Sequence, residues 1–325
     1  MGPRAQLPKA QIHMTRVTVV GAGFVGMTCA QKLAEQEIAE EIVLIDVIED
    51  RPQGIALDLN QAAAILGYQA KVVGTNDPKD TYGSDLFIMT AGMPRKPGMD
   101  RSDLVEVNGK IVNSVAEYIK EGSPDAKVIV VSNPLDTMVY LMAERLGFDK
   151  KRVVGMAGVL DSARMAFFIS DALGGGIADV RCMVLGGHGD SMVPMPQFST
   201  VDGVSVTELL PADQVDAINT RTQHGGAEIV NLLKTGSAYY APAAAAVAMA
   251  KSMVRNECRL LPSAAALDGQ YGLSGIYMGV PCVLGANGVE RIVELELDEG
   301  GIAKLNASAD AIRTDIETLR EKGLL

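Results

Sequence analysis

The stretch Val17-Thr18-Val19-Val20-Gly21-Ala22-Gly23-Phe24-Val25-Gly26 decides the fold, because a short apolar run leads directly into three spaced glycines. It predicts a buried strand, a tight turn and the start of a helix. In a G-x-G-x-x-G turn the first glycine bends the chain, the second lets a pyrophosphate approach the backbone, and the third lets helix and strand pack closely. Free N–H groups at the helix start would then bind the phosphates. The same six residues also fit an ordinary glycine-rich loop, so the surrounding sequence must decide.

Length, composition and charge describe a globular protein of two domains. The chain has 325 residues, 48% of them hydrophobic and 21% charged, and each of two domains could therefore bury a full core. A net charge of −11 argues against nucleic acid or an anionic membrane as a partner. Anionic ligands would have to be attracted by local positive groups, and the arginines are informative for that reason.

The termini and cysteines favour a cytoplasmic protein. We interpret residues 1–14 as a tail or a cloning remnant, with Met14 as the natural start, because they contain two prolines and no apolar core of a secretory signal. No apolar run reaches the ~20 residues that cross a membrane. Four dispersed cysteines without metal-site spacing predict buried thiols in a reducing compartment and no metal. They are Cys29, Cys182, Cys258 and Cys282.

Apolar strands alternate with helices over the first half of the chain. This alternation predicts an α/β fold, with a Rossmann-type doubly wound parallel sheet over residues 15–152. The expected helices lie at 24–36, 51–66 and 102–120, and the strands after the first at 41–46, 71–74, 85–90 and 127–131.

Residues 153–325 have a different pattern, in which helices and antiparallel strands predict an α+β substrate domain. We expect a hairpin around Val201–Val204, where Asp202 and Gly203 form the turn. Helices are expected at 160–173, 211–233, 239–255 and 303–322, a strand at 180–185, and further strands between 258 and 296.

Asp46 favours the interpretation of the glycine turn as a cofactor site rather than an ordinary loop. It ends the second strand, 20 residues beyond Gly26, where a dinucleotide fold places the acid that accepts hydrogen bonds from the adenosine ribose. Its carboxylate would repel a 2′-phosphate, and neither Val47 nor Ile48 supplies an arginine, so we predict NAD rather than NADP. The alternative is a solvated aspartate at a strand end. The predicted contacts on the turn are Gly21, Gly23, Phe24, Val25 and Gly26.

His188 is the candidate proton acceptor. It lies in the segment Gly186-Gly187-His188-Gly189-Asp190-Ser191, past a predicted strand and among glycines, where an imidazole can reach a ligand. Oxidation of an alcohol needs a base for the hydroxyl proton, and a histidine with a pKa of about 6.5 suits that role. In the segment 160–164, Asp161 could orient the imidazole and Arg164 could bind a substrate carboxylate through two parallel bonds. The alternative is an ordinary i,i+3 ion pair on a helix.

Two further segments end neighbouring strands of the predicted sheet. Residues 91–101 read AGMPRKPGMDR, in which glycine and proline indicate a loop and the cations indicate a lid over an anionic substrate. The alternative is a solvated basic loop. Residues 131–134, VSNP, end the fifth strand at the edge where open α/β sheets bind ligands.

In combination and in order, these motifs resemble the lactate/malate dehydrogenase family, particularly the malate dehydrogenases that are built like lactate dehydrogenase. The resemblance runs from about Thr15 to the last helix. It implies His188 as proton acceptor and Asp161 as its partner. Its substrate contacts would be Arg164 to the C1 carboxylate, Arg101 to the reacting carbonyl and Asn133 to substrate and nicotinamide, and Asn108 and the Val131 backbone would help to hold NAD.

Arg95 selects the substrate within this family, because malate dehydrogenases carry an arginine at that loop position where lactate dehydrogenases typically carry glutamine. Electrostatics favour the same substrate. The second carboxylate of malate or oxaloacetate must be paired when the lid closes, whereas a methyl group there would leave the guanidinium buried and unsatisfied.

The sequence therefore predicts NAD-dependent oxidation of (S)-malate to oxaloacetate and its reverse, with hydride passing between C2 and nicotinamide C4. Two alternatives stay open: an L-lactate dehydrogenase, which Arg95 disfavours, and a non-catalytic NAD-binding protein, which would not need His188, Asp161 and Arg164 together. The resemblance further implies a homo-oligomer, a tetramer rather than a dimer, with the helix at 51–66 at the contact.

Overall fold

The computed structural model describes residues 15–94 and 101–325, apart from the side chain of Arg101. Residues 1–14 and 95–100, and with them Arg95, lie outside the described residues. The role predicted for Arg95 therefore rests on the sequence alone.

The first half of the chain forms the predicted alternation of strands and helices, and most of the expected bounds agree within two residues. Two elements were not predicted, a helix after VSNP and a short strand after it. The elements are β1 (Arg16–Val20), α1 (Phe24–Glu35), β2 (Glu41–Ile45), α2 (Arg51–Leu66), β3 (Lys71–Thr75), β4 (Leu86–Met89), α3 (Arg101–Gly122), β5 (Lys127–Val130), α4 (Leu135–Leu146) and β6 (Val153–Gly155).

The strands of this half lie in the order β3-β2-β1-β4-β5-β6, and all their pairings are parallel. This is the strand order of a dinucleotide-binding sheet, so the predicted fold class is confirmed. The order reverses direction between β1 and β4, so the chain leaves those two strands toward opposite faces of the sheet. Ligands of such sheets bind in the crevice that opens there, beyond the carboxyl ends of the strands.

The second half adds helices and short strand pairs, including the predicted hairpin, in which Thr200 pairs with Ser205. The single strand expected at 180–185 was wrong, because its two ends pair with different partners, β7 with β10 and β8 with β9. The elements are α5 (Gly158–Leu173), β7 (Val180–Arg181), β8 (Val184–Leu185), β9 (Val193–Pro194), β10 (Thr200–Val201), β11 (Val204–Ser205), α6 (Val206–Leu209), α7 (Ala212–Leu233), α8 (Tyr240–Val254), β12 (Arg259–Asp268), β13 (Ser274–Gly285), β14 (Gly288–Ile292) and α9 (Glu299–Glu321).

The long antiparallel strands of the second half join the parallel sheet. Ala264 of β12 pairs with Gly155 of β6, and β13 and β14 follow outward, which gives a sheet of nine strands. Without β12, β6 would be an edge strand with unpaired backbone groups, so the pairing satisfies them and covers the edge. The second half of the chain is thus built directly onto the parallel sheet of the first.

The sheet buries a core on each face. Along β4, Leu86 and Ile88 belong to one hydrophobic cluster, while Phe87 and Met89 belong to the other, as the two-residue period of a strand requires. All four side chains are buried. A strand that is covered on both sides must be apolar at every position, which explains the continuous runs that predicted this half.

Three of the sequence expectations concern features outside the core. The prediction of four buried cysteines is wrong for Cys258, which is exposed in the turn after α8, and for Cys182, which is half-buried; all four thiols are free. Among the described residues, no helix is long and apolar enough to cross a bilayer. The same residues contain no group of three or more His, Cys, Asp or Glu side chains suited to a metal ion.

Candidate active site

The glycine turn joins β1 to α1, and each of its glycines has a separate reason. Gly21 has a φ of +101°, in the left-handed region that favours glycine. A Cβ at Gly26 would lie 1.8 Å from the carbonyl oxygen of Gly21, so the helix could not approach the strand. A Cβ at Gly23 would meet no atom of the described residues within 4 Å. Packing among those residues therefore does not require glycine at position 23, and the open space fits a phosphate group that approaches the backbone.

The carboxylate of Asp46 holds this turn. Its Oδ2 accepts a hydrogen bond from the Ala22 N–H at 2.6 Å, and its Oδ1 accepts one from the Ile48 N–H at 2.9 Å. A carboxylate has about four acceptor sites, so two oxygens with one bond each can still accept from ribose hydroxyls. A merely solvated aspartate would not accept these two backbone hydrogen bonds.

Arg51, the first residue of α2, lies beside the same turn and was missed by the sequence reasoning. Its Nε donates to the carbonyl oxygen of Ala22 at 2.8 Å, so Ala22 is held by an acid at its N–H and by a cation at its carbonyl group. The sequence argument considered only Val47 and Ile48. The predicted start of α2, five residues after Asp46, was a signal that could have brought Arg51 into consideration.

The ends of β4 and β5 are tied together beneath the predicted substrate position. The Asn108 side chain accepts from the Met93 N–H at 2.7 Å and donates to the carbonyl oxygen of Asn133 at 2.7 Å. The Val131 N–H donates to the Met89 carbonyl at 2.8 Å. Asn108 is 1% exposed, so in this structure its amide positions protein backbone. Its contact with NAD, like that of Val131, stays a prediction, and the Asn133 residue that it supports is exposed.

His188 lies in the loop of a two-stranded ribbon, between β8 and β9. Three distant segments hold the backbone of this loop. Gly186 exchanges two hydrogen bonds with Gly279 of β13, at 2.9 and 3.1 Å. The Gly187 N–H donates to Ser308 Oγ of α9 at 2.7 Å, and the His188 N–H donates to Asp136 Oδ2 of α4 at 2.8 Å. The loop is therefore fixed although it consists largely of glycine.

The predicted pairing of His188 with Asp161 is present. Nδ1 of the imidazole lies 2.9 Å from Asp161 Oδ2, and the carboxylate, on the first turn of α5, is 2% exposed. Because a carboxylate only accepts, Nδ1 carries the hydrogen and Nε2 is left as the acceptor. The other carboxylate oxygen, Oδ1, lies 3.3 Å from Arg164 Nη1. The i,i+3 ion pair and the catalytic arrangement therefore coexist, since one carboxylate serves both partners.

Arg164 crosses the surface of α7 at a pair of glycines. A Cβ at Gly225 would lie 3.2 Å from Arg164 Cδ, so the helix offers the arginine room along that side. The guanidinium is largely buried, and its Nε has no hydrogen-bond partner among the residues that the structure describes. A buried cation with an unused donor is suited to binding a carboxylate.

The electrostatics favour a protonated histidine more than in water. Burial is the largest single effect and lowers the pKa of His188, but the adjacent Asp161 carboxylate and the charge of Asp136 together outweigh it, so the pKa is raised. Burial also raises the pKa of Asp136 from 3.8 to about 6, although the His188 backbone bond opposes that rise. Two acids from two helices thus favour the protonated imidazole, Asp161 by contact with the ring and Asp136 from the backbone N–H of His188.

The structure brings together the predicted His188, Asp161 and Arg164, and it places Asp46 on the glycine turn. The side chains of Arg95 and Arg101 lie outside its description. Besides Arg51, the sequence reasoning missed the residues that hold the histidine loop, Asp136, Gly279 and Ser308. Asp136 lies two residues after the recognised VSNP segment, but nothing local shows that it reaches His188, 52 residues away.

A dinucleotide-binding sheet and a histidine–carboxylate pair beside a buried arginine define an oxidoreductase that uses a nicotinamide cofactor and acts on an anionic substrate. The chain belongs to the lactate/malate dehydrogenase family. The family's NAD-binding domain matches residues 15–155, and its alpha/beta C-terminal domain matches residues 158–322. NAD is therefore the cofactor of the family domain that contains the glycine turn and Asp46.

Individual relatives agree with this family. The malate dehydrogenase of Roseiflexus castenholzii is 51% identical over 306 residues, which cover 94% of this chain and 99% of that relative. The solved malate dehydrogenase of Cryptosporidium parvum has a TM-score of 0.92 and 42% identity, with 95% and 99% of the two chains covered. The lactate dehydrogenase of the same organism, in complex with lactic acid and NAD, also has a TM-score of 0.92, with 40% identity and 95% and 99% coverage. The fold alone therefore does not separate the two substrates.

Proposed function

We propose that this protein is an NAD-dependent malate dehydrogenase, which oxidises (S)-malate to oxaloacetate and catalyses the reverse reaction. The observation that carries the chemistry is the His188 Nδ1 to Asp161 Oδ2 distance of 2.9 Å, with Arg164 on the same carboxylate. The choice of malate over lactate is supported by Arg95 and by relatives named malate dehydrogenase, whose sequences are 51% and 52% identical to this chain.

In the oxidation, the malate hydroxyl donates its hydrogen bond, and then its proton, to His188 Nε2. Asp161 keeps the ring in the required tautomer and stabilises the imidazolium that forms. Bound NAD supplies the acceptor for the hydride that leaves C2. Arg164 holds the C1 carboxylate in a fixed orientation, which aligns the hydroxyl with the imidazole. In the reverse reaction His188 returns the proton to the carbonyl oxygen, which Arg101 would polarise.

Arg95 is the residue that we assign to specificity. A guanidinium enclosed with oxaloacetate pairs with the C4 carboxylate, whereas pyruvate offers it only a methyl group. An unpaired charge excluded from water costs several kcal/mol, and each 1.4 kcal/mol is tenfold in selectivity. One arginine is therefore enough to separate the two substrates by orders of magnitude.

The test is NADH oxidation, followed by absorbance, with oxaloacetate and with pyruvate. The wild type should prefer oxaloacetate strongly, and Arg95→Gln should lose far more kcat/KM with oxaloacetate than with pyruvate. Lys96→Gln is the matched control, because it removes a cation from the same loop and should leave the preference unchanged. Faster reduction of pyruvate by the wild type would identify a lactate dehydrogenase, and NAD binding without turnover would identify a non-catalytic protein.

We further propose a homo-oligomer, with a tetramer favoured over a dimer, in which α2 contacts a second copy. Of its sixteen residues only Pro52 and Ala56 are buried in the single chain, while Leu57, Ile65 and Leu66 are at least 60% exposed. An apolar helical face of this kind is typical of a protein interface. Leu57→Glu should shift the mass measured by light scattering toward ~34 kDa, and Lys304→Glu, at an exposed position of α9, should not.

Two finer assignments belong to the same proposal. We place the functional boundary between an NAD-binding unit at 15–152 and a catalytic unit at 153–325. The four free thiols support a reducing compartment, the cytoplasm, where malate oxidation would serve the tricarboxylic acid cycle. Cell fractionation followed by immunoblotting tests the location.

A further inference from the structure

Behind the catalytic histidine lies a second buried acid whose role the proposed reaction leaves unexplained. Asp136 is in the first turn of α4 and is 6% exposed. Its Oδ2 accepts the His188 N–H at 2.8 Å, while its Oδ1 is buried and has no hydrogen-bond partner within residues 15–94 and 101–325. A carboxylate is a costly way to hold one N–H group, because a hydroxyl or an amide oxygen would accept the same bond without a buried charge.

The preceding residue of the loop, Gly187, shows the less costly solution. The Gly187 N–H is held by Ser308 Oγ at 2.7 Å, and that hydroxyl is neutral. The approach of Asp136 to the loop is also close, since a Cβ at Gly187 would lie 3.3 Å from Asp136 Oδ2. The charge at position 136 therefore requires a reason beyond loop geometry.

We propose that Asp136 is a positioning residue for the reaction, which holds the backbone of His188 and, by its charge, stabilises the imidazolium form of that side chain. This inference rests on the proposed role of His188 as the proton acceptor. Asp161 contacts the ring directly, and Asp136 acts from the opposite, backbone side. The two acids together keep the histidine able to hold the proton that it takes from the substrate.

Within residues 15–94 and 102–325, few other charged groups lie near the histidine loop, and their effects can be told apart. Arg164 opposes protonation of His188, whereas Asp161 and Asp136 favour it. Asp315 of α9 accepts from Thr137, next to Asp136, at 3.3 Å. On α7, His224 lies 4.0 Å from Asp190 of the loop, and both side chains are largely exposed, so their interaction is weak. The charged groups concerned are Asp136, Asp161, Arg164, Asp190, His224 and Asp315.

The experiment measures the pKa of His188 without any substrate. Diethyl pyrocarbonate modifies the neutral imidazole, and mass spectrometry of the peptide that contains His188 gives the rate at each pH. In Asp136→Asn the amide oxygen can still accept the backbone N–H, but the charge is gone, so the pKa should fall by about one unit. The modification rate at pH 6 should then rise up to about tenfold. Ser308→Ala removes a neighbouring loop bond without a change of charge and should leave the pKa of His188 unchanged.

A pKa of His188 that is the same in Asp136→Asn and in the wild type would overturn the proposal, even if the variant were less active. Asp136→Ser provides a second uncharged variant, and circular dichroism shows which variants fold. The wild type supplies a further test. Below about pH 6 Asp136 becomes protonated and loses its charge, so the pKa of His188 should fall. The modification rate at pH 5 should therefore exceed the rate extrapolated from higher pH for a histidine that titrates alone. A profile that fits a single ionisation would contradict the inference.

This measurement separates failure of the inference from failure of the proposed function. If the wild type reduces neither oxaloacetate nor pyruvate, the function is wrong, while the pKa of His188 still reports on Asp136. If the wild type is an active malate dehydrogenase, the pH profile of kcat/KM gives an independent measurement. Oxaloacetate reduction needs the protonated His188 ring, so kcat/KM should decline above the pKa of His188. In Asp136→Asn this decline should begin at a lower pH, shifted by the same amount as the pKa of His188.

Discussion

Asp136→Asn should gain stability over the wild type as the pH rises, although we expect it to be the poorer enzyme. Burial raises the pKa of Asp136 from 3.8 to about 6, so the carboxyl binds its proton more tightly in the folded protein than in the unfolded chain. The folded state therefore loses stability as the pH rises through this window, which is the opposite of an ion-paired carboxylate. An uncharged amide does not titrate and carries no such cost.

The size of the effect follows from the two pKa values. At ~1.36 kcal/mol per pH unit, the charged carboxylate costs the folded protein ~3 kcal/mol once the pH is well above 6. About half of that cost is already present at pH 5. The difference in the free energy of unfolding between variant and wild type should therefore increase by roughly 1.4 kcal/mol from pH 5 to pH 8. Loss of imidazolium stabilisation in the variant has the same sign, because it weakens the variant mainly at low pH.

Urea unfolding at pH 5, 6, 7 and 8 measures this difference, with circular dichroism as the signal because the chain has no tryptophan. The protomer concentration is held fixed, since assembly would otherwise contribute to the apparent stability. Ser308→Ala is the control, and its difference from the wild type should not depend on pH. A difference for Asp136→Asn that stays constant, or shrinks, as the pH rises would refute the argument that burial of this carboxylate is costly.

Three other changes test the remaining parts of the site. Asp161→Asn should lower kcat for oxaloacetate reduction by about 10³-fold or more with a smaller change in KM, because the His188 tautomer is no longer fixed; equal activity would exclude that role. Gly26→Ala should abolish the NAD-dependent rise in Tm, since its Cβ would lie 1.8 Å from a carbonyl oxygen. Asp46→Ser should improve kcat/KM with NADPH relative to NADH, because Arg51 remains beside the turn, and the added Arg51→Gln change should reverse that gain; unchanged selectivity would argue against both assignments.

Local pattern was enough to predict the first half of the fold. Its strands are buried on both faces and are therefore continuous apolar runs in the sequence. Its helices begin after glycine, proline or polar residues that typically form turns. The helix α4 was missed although Leu135, Met138, Val139, Met142 and Leu146 recur at helical spacing and are all buried. The proline before it was interpreted as the end of a strand, and its equally common role at the start of a helix was overlooked.

The second half was predicted less well because its strands depend on partners that are distant in sequence. The segment 180–185 is apolar enough for one strand, but two different partners divide it into β7 and β8. The pairing of β12 with β6 joins residues more than a hundred positions apart. Short strands contain too few residues for a pattern to select their partners, so tertiary packing decides.

In the candidate site, too, residues with a local sequence signal were predicted and residues that act through distant contacts were missed. His188, Asp161 and Arg164 were predicted because each lies in a motif with its own local signal. Asp136 and Ser308 act on the histidine loop from α4 and α9, and neither has a local signal of that contact. What the sequence could not supply was the set of distant groups that hold a glycine-rich loop in one conformation.

In the proposed reaction the shared carboxylate of Asp161 would link substrate binding to proton transfer. Asp161 contacts His188 at 2.9 Å and Arg164 at 3.3 Å, and the arginine opposes protonation of the histidine. A substrate carboxylate on Arg164 would neutralise part of that opposing charge. The pKa of His188 should therefore rise when a dicarboxylate binds, so that the ring is protonated when oxaloacetate is to be reduced and accepts the proton readily when malate is to be oxidised. In the proposed reaction Arg164 would therefore do more than bind the substrate, because pairing its charge with a carboxylate would raise the pKa of His188.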